Sequence, residues 1–168
     1  MSQTEAVKNS GNNTNDRVMN VFYEGQVLWS QIDSNQHMRH SVYADFAAQA
    51  RLNMLESIGL KLSTLYKFKI GPVLFREELI YLREIGMNEH IRVTCELTKS
   101  RPDGSRWSIR QELYRSDGIK ASIITVDGAW IDTAKRKLAV LPSGVSQLFM
   151  KAPKSYDYIE EQSDAKVK

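Results

Sequence analysis

Between Gly71-Pro72 and Leu141-Pro142 the chain offers strand-like segments separated by turn signals, and this run narrows the possible folds more than any other feature. Val73–Glu84, Ile91–Lys99, Arg106–Arg115 and Ile119–Asp132 are rich in β-branched, aromatic and alternating apolar residues. A turn at Gly86 to Glu89 separates the first two, and the Asp-Gly pairs Asp103-Gly104 and Asp117-Gly118 mark two hairpins. Strands joined by hairpins pair antiparallel. Val21–Trp29 reads as a further strand ahead of them. From Ser41 the period changes: Tyr43, Phe46, Ala47, Ala50, Met54 and Ile58 recur at helical spacing on one face. Ser41 suits an N-cap and Gly59 a terminator, so the spacing predicts a helix from Val42 to Ile58. Ala47, Ala48 and Ala50 allow that helix to lie close to a sheet. The order is strand, long helix, then four antiparallel strands. It predicts an α+β fold with a long central helix packed on a five-stranded antiparallel sheet. Leu60 to Ile70 is a connector with room for a helical turn, and Ser143–Met150 suits a short terminal helix.

At 168 residues, 42% hydrophobic and 26% charged, the chain can build one domain with a real core. Residues 1–17 are polar and read as a disordered tail, 18–152 as the single domain, and 153–168 as a C-terminal tail. Ile124, Val126 and Trp130 are read as outward-facing apolar residues, which predicts a homodimer or homotetramer. The one cysteine, Cys95, falls in the apolar alternation Ile91, Val93, Cys95, Leu97 and reads as a core residue; such cysteine usage suits the cytoplasm. No apolar run approaches the ~20 residues of a membrane span, and Met1 to Asn15 lacks the apolar core of a signal peptide. The net charge of +3, without a basic stripe interleaved with aromatics, gives no reason to expect nucleic acid.

The stretch Ile32-Asp33-Ser34-Asn35-Gln36-His37-Met38-Arg39-His40-Ser41-Val42-Tyr43 carries the chemistry. It sets one carboxylate and two imidazoles on a loop ending at a helix N-terminus, where an anion or a developing oxyanion is favoured. Asp33 has a plain structural role open to it, an Asx-turn bending the chain into the helix. Its chemical role is nucleophile or general base at an acyl carbonyl. His37 and His40 have no third partner at metal-ligand spacing, so no metal site is expected. No nucleophile elbow, P-loop or dinucleotide fingerprint occurs. Arg51 and Glu56 read as solvated helix-face charges, and His90 as a surface residue. Lys99, Arg101 and Arg106 around one hairpin are possible contacts for ligand phosphates, and Lys135, Arg136 and Lys137 cluster at another turn.

These residues resemble those of the hotdog-fold acyl-CoA thioesterases of the 4-hydroxybenzoyl-CoA thioesterase type. The likeness covers about Val21 to Pro142. It rests on the Asp ending the first strand, the polar run into Tyr43 and the helix, Ala50-Arg51, and the closing Asp127-Gly128-Ala129-Trp130-Ile131-Asp132. The resemblance implies Asp33 as the catalytic carboxylate and His40 as an assisting residue. It implies a main-chain N–H at the helix start as the group that polarises the thioester carbonyl, and Gln36, His37 and Tyr43 as substrate contacts. The family has Gly where this chain has Gln36, a residue that reaches glycine's backbone angles only at a cost.

The resemblance implies hydrolysis of acyl-CoA or acyl-carrier-protein thioesters at a subunit interface; strand Val73–Leu82, which follows the helix, is the edge expected to pair with its twin. CoA enters as part of the substrate and no other cofactor is expected. The competing readings are a non-catalytic acyl-CoA or lipid-binding hotdog protein, and a hydratase acting on acyl thioesters.

Overall fold

The computed structural model describes residues 19–162. The expected N-terminal tail, 1–17, lies outside them. The first strand, β1 (Val21–Gln26), is followed by a 3-10 turn, Trp29–Gln31, and then by the central helix α1 (His40–Ser57). A short helix α2 (Leu62–Phe68) leads into β2 (Ile70–Tyr81). Next come β3 (His90–Thr94), β4 (Glu96–Ser100), β5 (Arg106–Arg115), β6 (Lys120–Asp132) and the two-residue β7 (Lys137–Leu138). Helix α3 (Ser143–Phe149) and strand β8 (Lys154–Glu160) close the order.

The strands form one sheet. Strand β5 is its hub: β6 lies on one side, and β3 and β4 share the other. Beyond β6 lies β2, paired with it over nearly its whole length. Beyond β3 and β4 lie β1, antiparallel to β3, and β8, parallel to β4. The sheet is therefore five positions wide, as the hairpin pattern implied, but three of those positions are each filled by two strands, the third being that of β5, which the short β7 extends along β6.

Two expectations are corrected here. Ile91–Lys99 is not one strand. It breaks at the buried Cys95, whose N–H donates to the Asn20 carbonyl (3.0 Å), because its halves follow different outer neighbours, β1 and β8. Residues 154–160 are also more than a tail. Strand β8 adds to the sheet, with Ser155 buried and the Tyr158 and Ser100 hydroxyls 2.7 Å apart.

Helix α1 buries Val42, Tyr43, Phe46, Ala47, Ala50, Met54 and Leu55, and the alanines let it sit low in the curl of the sheet. It ends where Gly59 takes φ +90°, an angle suited to glycine. Its start is not as expected: Arg39 occupies the cap position and no side chain caps the helix, so Ser41 lies inside the first turn. The outward reading of Ile124, Val126 and Trp130 is also overturned. All three are at most 1% exposed and face α1, while Ile123, Thr125 and Asp127 are the half-buried alternates.

Candidate active site

The segment before α1 folds as a tight hairpin. The Asp33 N–H donates to the His37 carbonyl (2.9 Å), the Gln36 N–H to the Asp33 carbonyl (3.0 Å), and the Arg39 N–H to the Gln31 carbonyl (2.9 Å). Gln36 stands at the tip with φ +64°, the left-handed conformation that glycine adopts freely. The glycine-type turn is thus retained with glutamine in it.

Half-buried Asp33 performs the structural role open to it: its Oδ1 accepts the N–H of Asn35 (2.8 Å) and, at longer range, of His37 (3.4 Å). These bonds fix the carboxylate's direction. Oδ2 makes no hydrogen bond among the described residues. Asp33 and Gln36 line a solvent-open groove of about 600 Å³ with Trp29, Ser30, Ile32 and Met87. Trp29 (79% exposed) and Met87 (51% exposed) give the groove an apolar side that sequence reasoning missed; exposed aromatic and thioether side chains next to a carboxylate carry no periodic signal.

His37 and His40 are both exposed, His40 as the first residue of α1. The open helix start leaves main-chain N–H groups there without a capping side chain, the arrangement that stabilises an anion. Tyr81, at the end of β2, donates to the His40 carbonyl (3.4 Å) and meets the Tyr43 ring edge-on at 5.1 Å. The Tyr43 hydroxyl is pushed up to about 12, mainly by burial, then by the charges of Tyr81, Glu84, Glu89 and Asp33. It is therefore a neutral hydrogen-bond donor beside the site.

Lys99, Arg101 and Arg106 do not join this cluster within one chain. The Asp33 hairpin meets the β3 end of the sheet through a bridge from His37 to Gly86, whereas the three cations sit where β4 ends and β5 begins. The ten residues of β5 separate the two ends by roughly 30 Å. Lys99 pairs with Glu161 (2.8 Å), and Arg106 lies over the Phe75 ring.

Arg51 is not a solvated charge. Its Nη1 donates to Gln111 Oε1 (2.7 Å), and Gln111 Nε2 donates in turn to the Ala47 carbonyl (2.7 Å). Arg51 lines a second, apolar cavity of about 200 Å³ between α1 and the sheet. A third cleft, on the sheet face away from α1, is lined by charges already engaged: Lys120 with Glu112 (2.7 Å) and Arg110 with Asp157 (2.9 Å). Among the described residues no three His, Cys, Asp or Glu side chains gather as metal ligands, and no helix is long and apolar enough to cross a membrane.

A long helix in the curl of an antiparallel sheet defines the hotdog fold. The family model described as the thioesterase-like superfamily matches residues 27–149, and the chain belongs to that family. Among solved structures, a hypothetical protein of Staphylococcus aureus in complex with CoA is 21% identical (TM-score 0.74), covering 88% of this chain and 94% of its own. A DHNA-CoA thioesterase from the same organism is 18% identical (TM-score 0.71; 77% and 87% covered). A 1,4-dihydroxy-2-naphthoyl-CoA thioesterase from Synechocystis is 16% identical (TM-score 0.68; 77% and 96% covered). At these identities the likeness is one of fold. No curated protein matches the sequence.

Proposed function

We propose that the protein hydrolyses acyl thioesters of CoA, with Asp33 as the reacting carboxylate. The observation that carries this is a carboxylate fixed through one oxygen in an open groove, on the hairpin that runs directly into an uncapped helix start. Family membership supports the reaction class, and the CoA-bound relative supports CoA as the carrier. Asp33 attacks the thioester carbon or activates the attacking water. The N–H groups at His40 and Ser41 take up the charge growing on the carbonyl oxygen, worth about 3 kcal/mol per donor. In this reading His40 orients water or the leaving thiol, and Tyr43 donates a hydrogen bond to the bound substrate. Gln36, Trp29 and Met87 border the groove that takes the pantetheine arm, and His37, exposed on the same hairpin, meets the substrate at its rim.

The active form is a dimer across β2. That strand pairs only with β6 among the described residues, so its other edge is free, and Leu74, Phe75, Ile80, Tyr81 and Leu82 are exposed along it. A two-fold axis that joins like edges makes them antiparallel. Each catalytic hairpin then meets the opposite, cation-bearing end of its partner, which brings Lys99, Arg101 and Arg106 within reach of CoA phosphates.

The test is thiol release from a panel of acyl-CoAs by the purified protein. Turnover of at least one thioester well above the blank is expected. Binding without thiol release would select the ligand-binding reading instead, and loss of enoyl absorbance from an enoyl-CoA would select the hydratase.

A further inference from the structure

We infer that the cavity between α1 and the sheet receives the acyl group, and that Phe149 of α3 closes it so that ring-sized acyl groups fit and long alkyl chains do not. This rests on the thioesterase reading and on the pairing of β2 with its twin.

The cavity's inner wall is three aromatic rings in mutual contact. Trp130 and Phe149 meet edge-on at 5.3 Å, Trp107 and Phe149 at 6.2 Å, and the two indoles at 6.4 Å. All three side chains are buried, so the wall is fixed. Helix α1 supplies Met54, Leu55 and Arg51, and the Gln111 bond holds the Arg51 guanidinium in place. A fixed cation in an aromatic cavity suits a ring more than an alkyl chain.

The mouth lies at β2, where Pro72 and Leu74 are exposed. Arg51 follows His40 along α1 by roughly 16 Å at 1.5 Å per residue, too far for the Asp33 of the same chain to serve this cavity. Antiparallel pairing of β2 sets its first half, which carries the mouth, against the last half of the partner strand. That half ends in Tyr81, the residue bonded to the first turn of α1. The cavity of one protomer thus opens toward the catalytic hairpin of the other.

Size then decides the ligand. Another protein's apolar cavity of about 150 Å³ takes up benzene. About 200 Å³ holds one ring or a short branched chain, and the three rings leave a long chain nowhere to extend.

The experiment compares kcat/KM for benzoyl-, hexanoyl- and palmitoyl-CoA in the wild type, Phe149→Ala and Phe149→Leu, with circular dichroism as the check of folding. Binding of non-hydrolysable phenacyl- and hexadecyl-CoA thioethers is measured alongside. The wild type should favour benzoyl over palmitoyl by tenfold or more, and Phe149→Ala should shift the palmitoyl-to-benzoyl ratio upward at least fivefold. Equal use of palmitoyl by the wild type overturns the inference, as does an unmoved ratio in whichever variant folds. If no thioester turns over, the hydrolysis reading fails by itself. The thioethers then decide the cavity: ring preference in the wild type that is lost on opening Phe149 upholds it, and no preference overturns it.

Discussion

Gln36 holds a backbone angle of φ +64° that costs a non-glycine residue about 1 kcal/mol. The sequence shows a departure from the family's glycine, open to a turn built differently or to a side-chain contact with the ligand. The structure keeps the left-handed turn, with Gln36 accepting the strain. Gln36→Gly should therefore stabilise the protein by roughly 0.5 kcal/mol after glycine's own entropy cost, read from urea denaturation. Asp33 shows the opposite relation between sequence and structure. Its Asx-turn and its chemical role were both legible as alternatives, and the geometry gives one oxygen to the turn and leaves the other without a hydrogen bond among the described residues. Tyr43 supplies a pH prediction. Its hydroxyl is raised to about 12, so the folded state holds the proton more tightly than the unfolded chain, whose tyrosines titrate near 10. The stability this gives is fully present below pH 10 and is lost as pH rises from there through about 12. Tyr43→Phe should flatten that decline in alkaline denaturation; a decline as steep as the wild type's would contradict the burial of the hydroxyl.

At the scale of elements, period and turn chemistry carried far. Helix α1, strands β5 and β6 and the hairpin turns fall close to where spacing put them, because each has either a one-sided apolar pattern or an Asp-Gly pair to bound it. Strand β8 escaped because Lys154, Asp157 and Glu160 give it the charge of a solvated tail. Its inward residues are Ser155 and the half-buried Tyr158, neither of them aliphatic. Its removal by truncation at Pro153 should expose Ser100 and lower the melting temperature by several degrees. Gly128 on β6 is a different local case. A Cβ there would stand 2.6 Å from the Val73 carbonyl oxygen and against the Trp107 ring. Gly128→Ala should cost about 1–3 kcal/mol through forced separation of β2, β6 and the indole.

For the whole molecule, one-residue phase was the weak point. Ile123 and Ile124 are adjacent and chemically equal, so the sequence cannot say which faces α1, and a slip of one inverts a whole strand. That slip placed Ile124, Val126 and Trp130 outside. The exposed apolar side chains lie instead along the edge of β2 that pairs with no strand among the described residues. Ile80→Lys, at an exposed position, should leave the monomer folded, lower the sedimentation coefficient to that of a monomer and abolish turnover. A monomeric variant with full activity would contradict a site shared between protomers.

The central claim is that one carboxylate, on the hairpin leading into an open helix end, does the chemistry. Asp33→Asn keeps the side-chain oxygen that accepts the Asn35 and His37 N–H groups, so the turn should persist while the anion is lost. Single-turnover hydrolysis of the best acyl-CoA should then fall by ~10²–10⁴ while the thioether dissociation constant changes little. A folded Asp33→Asn protein that hydrolyses at the wild-type rate would contradict the account.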